Sequence, residues 1–586
     1  MKNFFKIFFA SLLALVVFTV IGIFVLIGFI ASATSAEKPV IGRNAVLVLN
    51  LADHFREQKQ DNTIASLMGD AEADIPGLYD VVRMIYSARS DSSVKGIYVI
   101  CGSDNNGFAA SEELRRALLE FKRSNKFVIA YGEAISQKAY YVANAADRLY
   151  CHPQGGVEWD GFASGTLFMK GLLDKLEIKP QIFYAGKFKS ATEPLREMQM
   201  TEANKLQTSV WLGDLYNEFL AAAAATRKTD TATLRALAVN GAIRTAHDAL
   251  QHQLVDGLRY DDEVKSEIFR RLKLNEEAAI NFVTLSDYAK AADFKKSEYS
   301  EDKVAIIYAE GDIVDGKGDE NQVASNEFRN IVRKARFDKN VKAVVFRVNS
   351  PGGSALASDV IWRELALLRK EKPVVVSMGD VAASGGYYIS CNADSVFAGA
   401  ATITGSIGVF SIIPDFQSFF KNKLGITFDR VKTAPYADMG SSDRPLTETE
   451  KRFLQASVDS IYYTFKSRVS EGRKKDIAFI DSIAQGRVWA GRRAKDVGLV
   501  DRIGTLQDAL DCAVRMAGLK EYQTREYPEK KGLLEQLVGN YKRAISKDLI
   551  RQEIGEKQFR MLKEVKNTEK MIGIPQARLP FLLGFN

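Results

Sequence analysis

Short apolar runs alternate with amphipathic stretches along most of the chain. Ala45–Leu51, Val94–Ile100 and Lys126–Ala130 in the first half have the length and β-branched character of buried strands. So do Val304–Tyr308, Val341–Val348 and Pro373–Ser377 in the second. Between them, Ser111–Lys122 and Ala357–Lys370 read as helices. Each half therefore runs strand, loop, helix, strand, turn, helix, which predicts α/β domains with largely parallel sheets.

The pattern is a repeat. Val94–Tyr150 aligns without a gap on Val341–Phe397 at a constant offset of 247, and 13 of the 57 pairs are identical. Gly132/Gly379, Tyr140/Tyr387, Tyr141/Tyr388 and Asp147/Asp394 are among them. Composition alone gives only a few identities, so the halves read as a duplication. Further on, Lys175–Ile178 matches Lys423–Ile426, and Leu254–Gly257 echoes Leu499–Asp501. The expected organisation is a first copy over residues 44–260, an exposed charged linker over 261–303, and a second copy over 304–520. A basic helical extension is expected over 521–586, where Leu533, Leu537, Val538, Tyr541 and Ile545 recur at helical spacing. That spacing favours a helix docked by one face over one lying on a membrane.

Residues 1–36 stand apart. From Ile7 to Ala36 there is no charge, and Ile7–Ile30 is almost wholly apolar. A bilayer span needs about 20 such residues, whereas the apolar part of a cleaved signal has about 7–15. Lys2 and Lys6 precede the run and favour a cytoplasmic N-terminus with an exported body. The small residues of Ala31–Ala36 resemble a cleavage site, but an uncleaved anchor is expected.

Composition narrows the rest. A net charge of +7 from 80 basic and 73 acidic residues is mild, and no nucleic-acid module accompanies it. Cys101, Cys151, Cys391 and Cys512 lack metal-site spacing and read as core residues. Nothing in the sequence calls for a metal or an organic cofactor.

The stretch that carries chemistry is Gly379–Asp380–Val381–Ala382–Ala383–Ser384–Gly385–Gly386–Tyr387–Tyr388. It follows a strand-like run and precedes a short helix, which is how a nucleophilic serine is exposed beside backbone N–H groups. Arg347–Val348–Asn349–Ser350–Pro351–Gly352–Gly353–Ser354 ends another strand of the same unit. The Gly353 and Gly385 N–H groups together form a candidate oxyanion hole. All four histidines, His54, His152, His247 and His252, lie in the first half, none near Ser384 in sequence. The first copy has Gln137 at the position of Ser384 and Asp104–Asn105–Asn106 at that of Pro351–Gly352–Gly353. It carries Lys189 instead, where the second copy has Ala437. One copy keeps a serine and the other a lysine, so a single site divided between them is expected. A lysine serves as base only when neutral, with its pKa brought down by burial from about 10.4.

These motifs, with Lys187–Phe188–Lys189–Ser190–Ala191–Thr192–Glu193–Pro194, Thr404–Gly405–Ser406–Ile407–Gly408–Val409 and Gly486–Arg487–Val488–Trp489–Ala490–Gly491, give the chain a resemblance. It resembles the signal peptide peptidase A family in its long form, protease IV, over essentially its whole length. The resemblance implies tandem Clp-protease/crotonase-like domains and a dyad of Ser384 as nucleophile and Lys189 as base. It implies signal peptides left in the membrane as substrates, and a dome-shaped homotetramer on the outer face of the cytoplasmic membrane. Two other readings are a crotonase-type acyl-CoA enzyme and a catalytically silent membrane scaffold. The first needs neither the Ser384/Lys189 pair nor an anchor, and the second leaves both motifs without purpose.

Overall fold

The computed structural model describes residues 2–34, 40–59, 75–274, 279–292, 294, 300–319, 321–529 and 573–579. Two sheets share one plan. In the first, the strands lie in the order Gly257–Leu258, Arg148–Val157, Phe127–Ile135, Val94–Ile100, Ala45–Asn50, Phe282–Thr284, every neighbouring pair parallel. In the second, the corresponding order is Arg502–Ile503, Ser395–Ala398, Val374–Ala383, Val341–Ser350, Lys303–Glu310, Gln523–Tyr527, again all parallel. Ile403–Gly405 adds to the far end of Val374–Ala383, and Val488–Ala490 pairs antiparallel with it. Helices cover both faces, so the central strands are apolar along their length rather than alternating: Val344, Val345 and Phe346 are all fully buried.

The identities between the copies have a structural purpose. Tyr140 donates its hydroxyl to the Leu254 carbonyl at 2.9 Å, and Tyr387 donates to that of Leu499 at 2.8 Å. Asp147 accepts from the Val128 N–H at 2.8 Å, as Asp394 does from Val374 at 2.9 Å. Each ties a strand or helix to a neighbouring chain segment, the two tyrosines meeting a buried polar requirement that packing alone leaves unmet. All four cysteines are free and buried.

Two expectations about boundaries are corrected. Residues 261–303 do not run as an exposed linker. Asp261–Leu272 is a helix that buries Val264, Ile268 and Leu272, and Phe282–Thr284 is the edge strand beside Ala45–Asn50. Its counterpart in the second copy is Gln523–Tyr527, beside Lys303–Glu310, so the expected extension begins inside the second sheet. The reason is topological: a further parallel strand needs a crossover, and the charged helix supplies it. The predicted helix around Leu533–Ile545 lies outside the described residues.

Lys2–Thr34 forms one helix of 33 residues. Among the described residues no helix is long and apolar enough to cross a membrane, so the anchor expected over Ile7–Ile30 is not supported here. That run continues past Gly22, where the helix's side chains fall outside the described residues. Before that point Ile7, Leu13 and Phe18 are 68%, 65% and 78% exposed.

A third sheet joins the copies. Its order is Gln322–Ala324, Asp312–Val314, Gly352–Ser354, Gln576–Arg578, Val409–Asp415, Lys179–Ala185. The last two strands, one from each copy, pair antiparallel over seven residues from Val409↔Ala185 to Asp415↔Lys179.

Candidate active site

The antiparallel ladder between the copies delivers Lys189. Four residues after Ala185 the chain turns so that the lysine enters the second copy, where it is 1% exposed. Backbone contacts fix the turn: Phe188 N–H donates to the Gln485 carbonyl at 2.7 Å, and Gln207 Nε2 donates to that of Phe188 at 3.0 Å. Glycine is required alongside. A Cβ on Gly486 would lie 2.6 Å from the Lys189 backbone nitrogen, and one on Gly186 2.5 Å from the Gln485 carbonyl carbon. The sequence motifs around Lys189 and Gly486 are thus two halves of one close backbone crossing.

Ser384 sits between the strand Val374–Ala383 and the short helix Gly385–Ser390. Its φ of 55° is in the left-handed region, a conformation that costs about 1–3 kcal/mol for a residue with a side chain. The turn is held by Ser384 N–H donating to Gly405 O and Tyr388 N–H donating to Ser384 O, both at 2.8 Å.

The two side chains meet across 195 residues of sequence: Lys189 Nζ lies 2.9 Å from Ser384 Oγ. Nζ also lies 3.1 Å from Ser406 Oγ and 3.3 Å from the Ser406 carbonyl oxygen. Burial holds the Lys189 amine well below the ordinary lysine range. A neutral amine has two N–H groups and one lone pair. In its neutral form the amine would offer its two N–H groups to the two Ser406 oxygens, with the lone pair left facing the Ser384 hydroxyl. Ser406 is the site residue that sequence reasoning did not assign. Its motif was visible, but its role depends on a φ of 51°, which turns both of its oxygens to one amine.

Gly352–Ser354 lies next to this pair. A Cβ on Gly352 would be 2.1 Å from the Ala577 carbonyl oxygen and 2.7 Å from the Gly385 amide nitrogen, and one on Gly353 2.0 Å from the Ile313 carbonyl oxygen. Both glycines are therefore obligatory, and the predicted donors Gly353 and Gly385 belong to strand and helix ends that adjoin. In the first copy Gln137 is spent structurally: its amide donates to Gly161 O and its carbonyl accepts from Gly161 N–H, both at 2.9 Å. Ala437 is exposed. His54 is engaged with the Asn105 carbonyl oxygen at 3.1 Å.

A buried hydroxyl on a strained turn, touching a lysine whose pKa burial lowers and lying beside two glycine-built strand and helix ends, suits acyl transfer. The Peptidase family S49 model matches residues 120–275 and again 366–520, one match in each copy. The chain belongs to peptidase family S49. This S49 chain is 36% identical over 475 residues to Protease 4 of Salmonella typhi, covering 79% of the chain and 75% of that relative. It is 33% identical over 523 residues to Protease 4 of Haemophilus influenzae, covering 85% and 83%. The chloroplastic serine protease SPPA of Arabidopsis thaliana is 32% identical over 444 residues, covering 74% and 64%. The protein is a serine peptidase with its family domain present twice.

Proposed function

We propose that this S49 peptidase is an endopeptidase whose Ser384 is the nucleophile and whose Lys189 is first the general base and then the general acid. The observation that carries the reading is the 2.9 Å approach of a fully buried lysine, its pKa lowered by burial, to the serine hydroxyl. Ser384 Oγ attacks the carbonyl carbon of the bond to be cut while its proton passes to Lys189 Nζ. The negative oxygen that forms is held by the Gly353 and Gly385 N–H groups. Lys189 then gives its proton to the departing amine, leaving an ester on Ser384. A water molecule, deprotonated by Lys189, hydrolyses the ester and restores the hydroxyl.

The substrates we assign are peptides rich in apolar residues, signal peptides left after export among them, on the strength of the motif set around Ser384 and Lys189. The resemblance that these motifs carry implies a Clp-protease/crotonase-like fold for each copy and a homotetramer for the assembled enzyme. The charge-free run Ile7–Ile30 after Lys2 and Lys6 supports an anchored enzyme with its body outside the cytoplasmic membrane. Nothing in this reading calls on an acyl-CoA.

The test is turnover of a synthetic signal peptide by purified full-length protein, with cut bonds identified by mass spectrometry. Ser384→Ala is expected to lose several orders of magnitude in rate and all labelling by a fluorophosphonate, while folding unchanged. Wild-type-like turnover in Ser384→Ala would reject the assignment. Finding that the membrane-extracted chain starts near Ser35 or Glu37 would reject the anchor alone.

A further inference from the structure

Lys189 is held from behind by one side chain. Gln207 belongs to the helix Glu202–Arg227 of the first copy and is fully buried. Its Nε2 lies 3.0 Å from the Phe188 carbonyl oxygen, 2.9 Å from Ser190 Oγ and 3.2 Å from Asn204 Oδ1. Its Oε1 accepts from the Val488 N–H at 3.2 Å. These partners fix which way the amide points. A backbone N–H only donates and a backbone carbonyl only accepts, so the oxygen faces Val488 and the nitrogen Phe188. Asn204 is oriented by the same logic. Its Nδ2 donates to the Glu193 carboxylate at 2.9 Å, which also accepts from the Thr201 hydroxyl at 2.6 Å and the Thr201 N–H at 3.2 Å. That leaves Asn204 Oδ1 for Gln207. Glu193, Asn204 and Gln207 are 2%, 5% and 0% exposed, so bulk water does not stand in for a lost partner.

The groups that Gln207 joins lie on both sides of the site. Phe188 and Ser190 flank Lys189 in sequence. Val488 begins the strand Val488–Ala490 of the second copy, which pairs antiparallel with Ile403–Gly405. The backbone of that strand pair seats the other two side chains. Ser406 N–H donates to Arg487 O at 2.7 Å, and Ser384 N–H to Gly405 O at 2.8 Å. One amide therefore reaches from the turn of the base to the backbone that holds Ser384 and Ser406. The copy without the base lacks it. Its matching helix, Glu448–Arg473, has the same 26 residues as Glu202–Arg227 and the same kind of cap, Thr447 in place of Thr201. In that register Phe453 stands where Gln207 does, and it is 47% exposed. A buried amide accompanies Lys189, and an exposed ring accompanies Ala437.

We propose that Gln207 is a positioning residue for the peptidase reaction, which sets the approach of Lys189 Nζ to Ser384 Oγ by tying both flanks of the lysine to the strand beside the serine turn. The inference rests on the Ser384/Lys189 reading above. None of the partners of Gln207 is a reacting atom, and a fully buried side chain does not meet a substrate, so its loss acts on kcat rather than KM. A misplacement of about 1 Å costs on the order of a hundredfold in rate. A loosened turn also admits water to the amine, which moves its pKa back towards the ordinary lysine value.

Two variants of the full-length protein test this. The readouts are kcat and KM on a synthetic signal peptide, and the rate at which a fluorophosphonate labels Ser384, each taken as a ratio to the parent from about pH 5 to 9. Gln207→Met keeps an unbranched side chain and removes both donor and acceptor. Its kcat is expected to fall about tenfold to a hundredfold while KM stays near that of the parent. The ratio should rise with pH, because a raised lysine pKa penalises the acid side more. Gln207→Glu offers donor and acceptor while its buried carboxyl is protonated, and loses the donor on ionising. Its ratio should start near unity on the acid side and fall as pH rises, the opposite slope. A folded Gln207→Met within about twofold of the parent in kcat overturns the proposal, as does a loss in which kcat and KM change together with an unshifted pH profile. If Gln207→Met does not unfold cooperatively, Gln207→Glu decides, and a ratio that is flat or rises with pH overturns the proposal. Loss of cooperative unfolding in both overturns it too, because the residue is then a prop of the fold. A parent that labels at Ser384 but cuts no peptide rejects the peptidase reading alone, and the labelling rates then decide the role of Gln207. A parent that neither labels nor cuts overturns both.

Discussion

Replacing Arg347 by methionine should separate the copies energetically. Arg347, from the second copy, is 1% exposed and faces Glu57 and Glu113 of the first, which are 4% and 6% exposed. Its Nε lies 2.7 Å from Glu57 and its Nη2 2.8 Å from Glu113, and Nη1 donates to Ser377 Oγ at 2.9 Å. Burial holds the Glu113 carboxyl above its usual range even with Arg347 beside it. Removing one partner of a buried ion pair costs about 3–5 kcal/mol, because a charge is left without compensation. Arg347→Met leaves two such carboxylates, so the full range is expected in urea unfolding at pH 7. The loss should shrink towards pH 5. With the arginine gone, the Glu113 carboxyl, already raised by burial, binds its proton more tightly folded than unfolded, and stability then rises as pH falls. Methionine at 347 with glutamine at both 57 and 113 should recover to within about 1 kcal/mol of the parent, since a neutral cluster of similar volume carries no uncompensated charge. The reasoning fails if Arg347→Met costs less than about 1 kcal/mol, or if the triple variant is as unstable as the single one.

Other outcomes follow from the site. Activity should rise with pH through a lysine pKa below the ordinary 10.4, because only the neutral amine accepts the serine proton; a profile flat through the neutral range and rising only near pH 10 would contradict this. The same burial costs stability below the unfolded pKa, growing as pH falls towards the folded one. Lys189→Met should therefore raise the melting temperature at pH 7, with the gain vanishing above about pH 10.4. Ser406→Ala should lower kcat by about tenfold, the worth of one positioned hydrogen bond, while KM stays near that of the parent. Residues 304–586 expressed alone should show no turnover, since they lack Lys189 and the Lys179–Ala185 strand that Val409–Asp415 pairs with; activity comparable to the full chain would refute the divided site.

What the sequence reveals depends on how local each feature is. The duplication and the α/β class were legible because apolar runs and Tyr140/Tyr387-type identities sit at fixed spacing. The turn that sets Ser384 beside Lys189 was legible because an unusual small-residue sequence follows a strand-like run there. Lys189 emerged only from comparing the copies, since an isolated lysine carries no signal of its own burial. The edge strands were hidden: Phe282–Thr284 has three residues, and four of the five in Gln523–Tyr527 are only partly buried, so neither has the apolar run that marks a central strand. The third sheet was invisible, because its strands come from segments with nothing in common but their final position.

The pairing of Lys179–Ala185 with Val409–Asp415 also sets a timetable. A ribosome adds about 5–20 residues per second, so Ser384 emerges roughly 10–40 s after Lys189. On the proposed reading, the nascent chain in that interval holds its lysine base without the serine nucleophile. Cutting power arrives only when the later copy has folded onto the earlier one. A hydrolase divided in this way gains its activity, on that reading, only after both copies have left the ribosome, which limits its exposure to neighbouring unfolded chains early in its own synthesis.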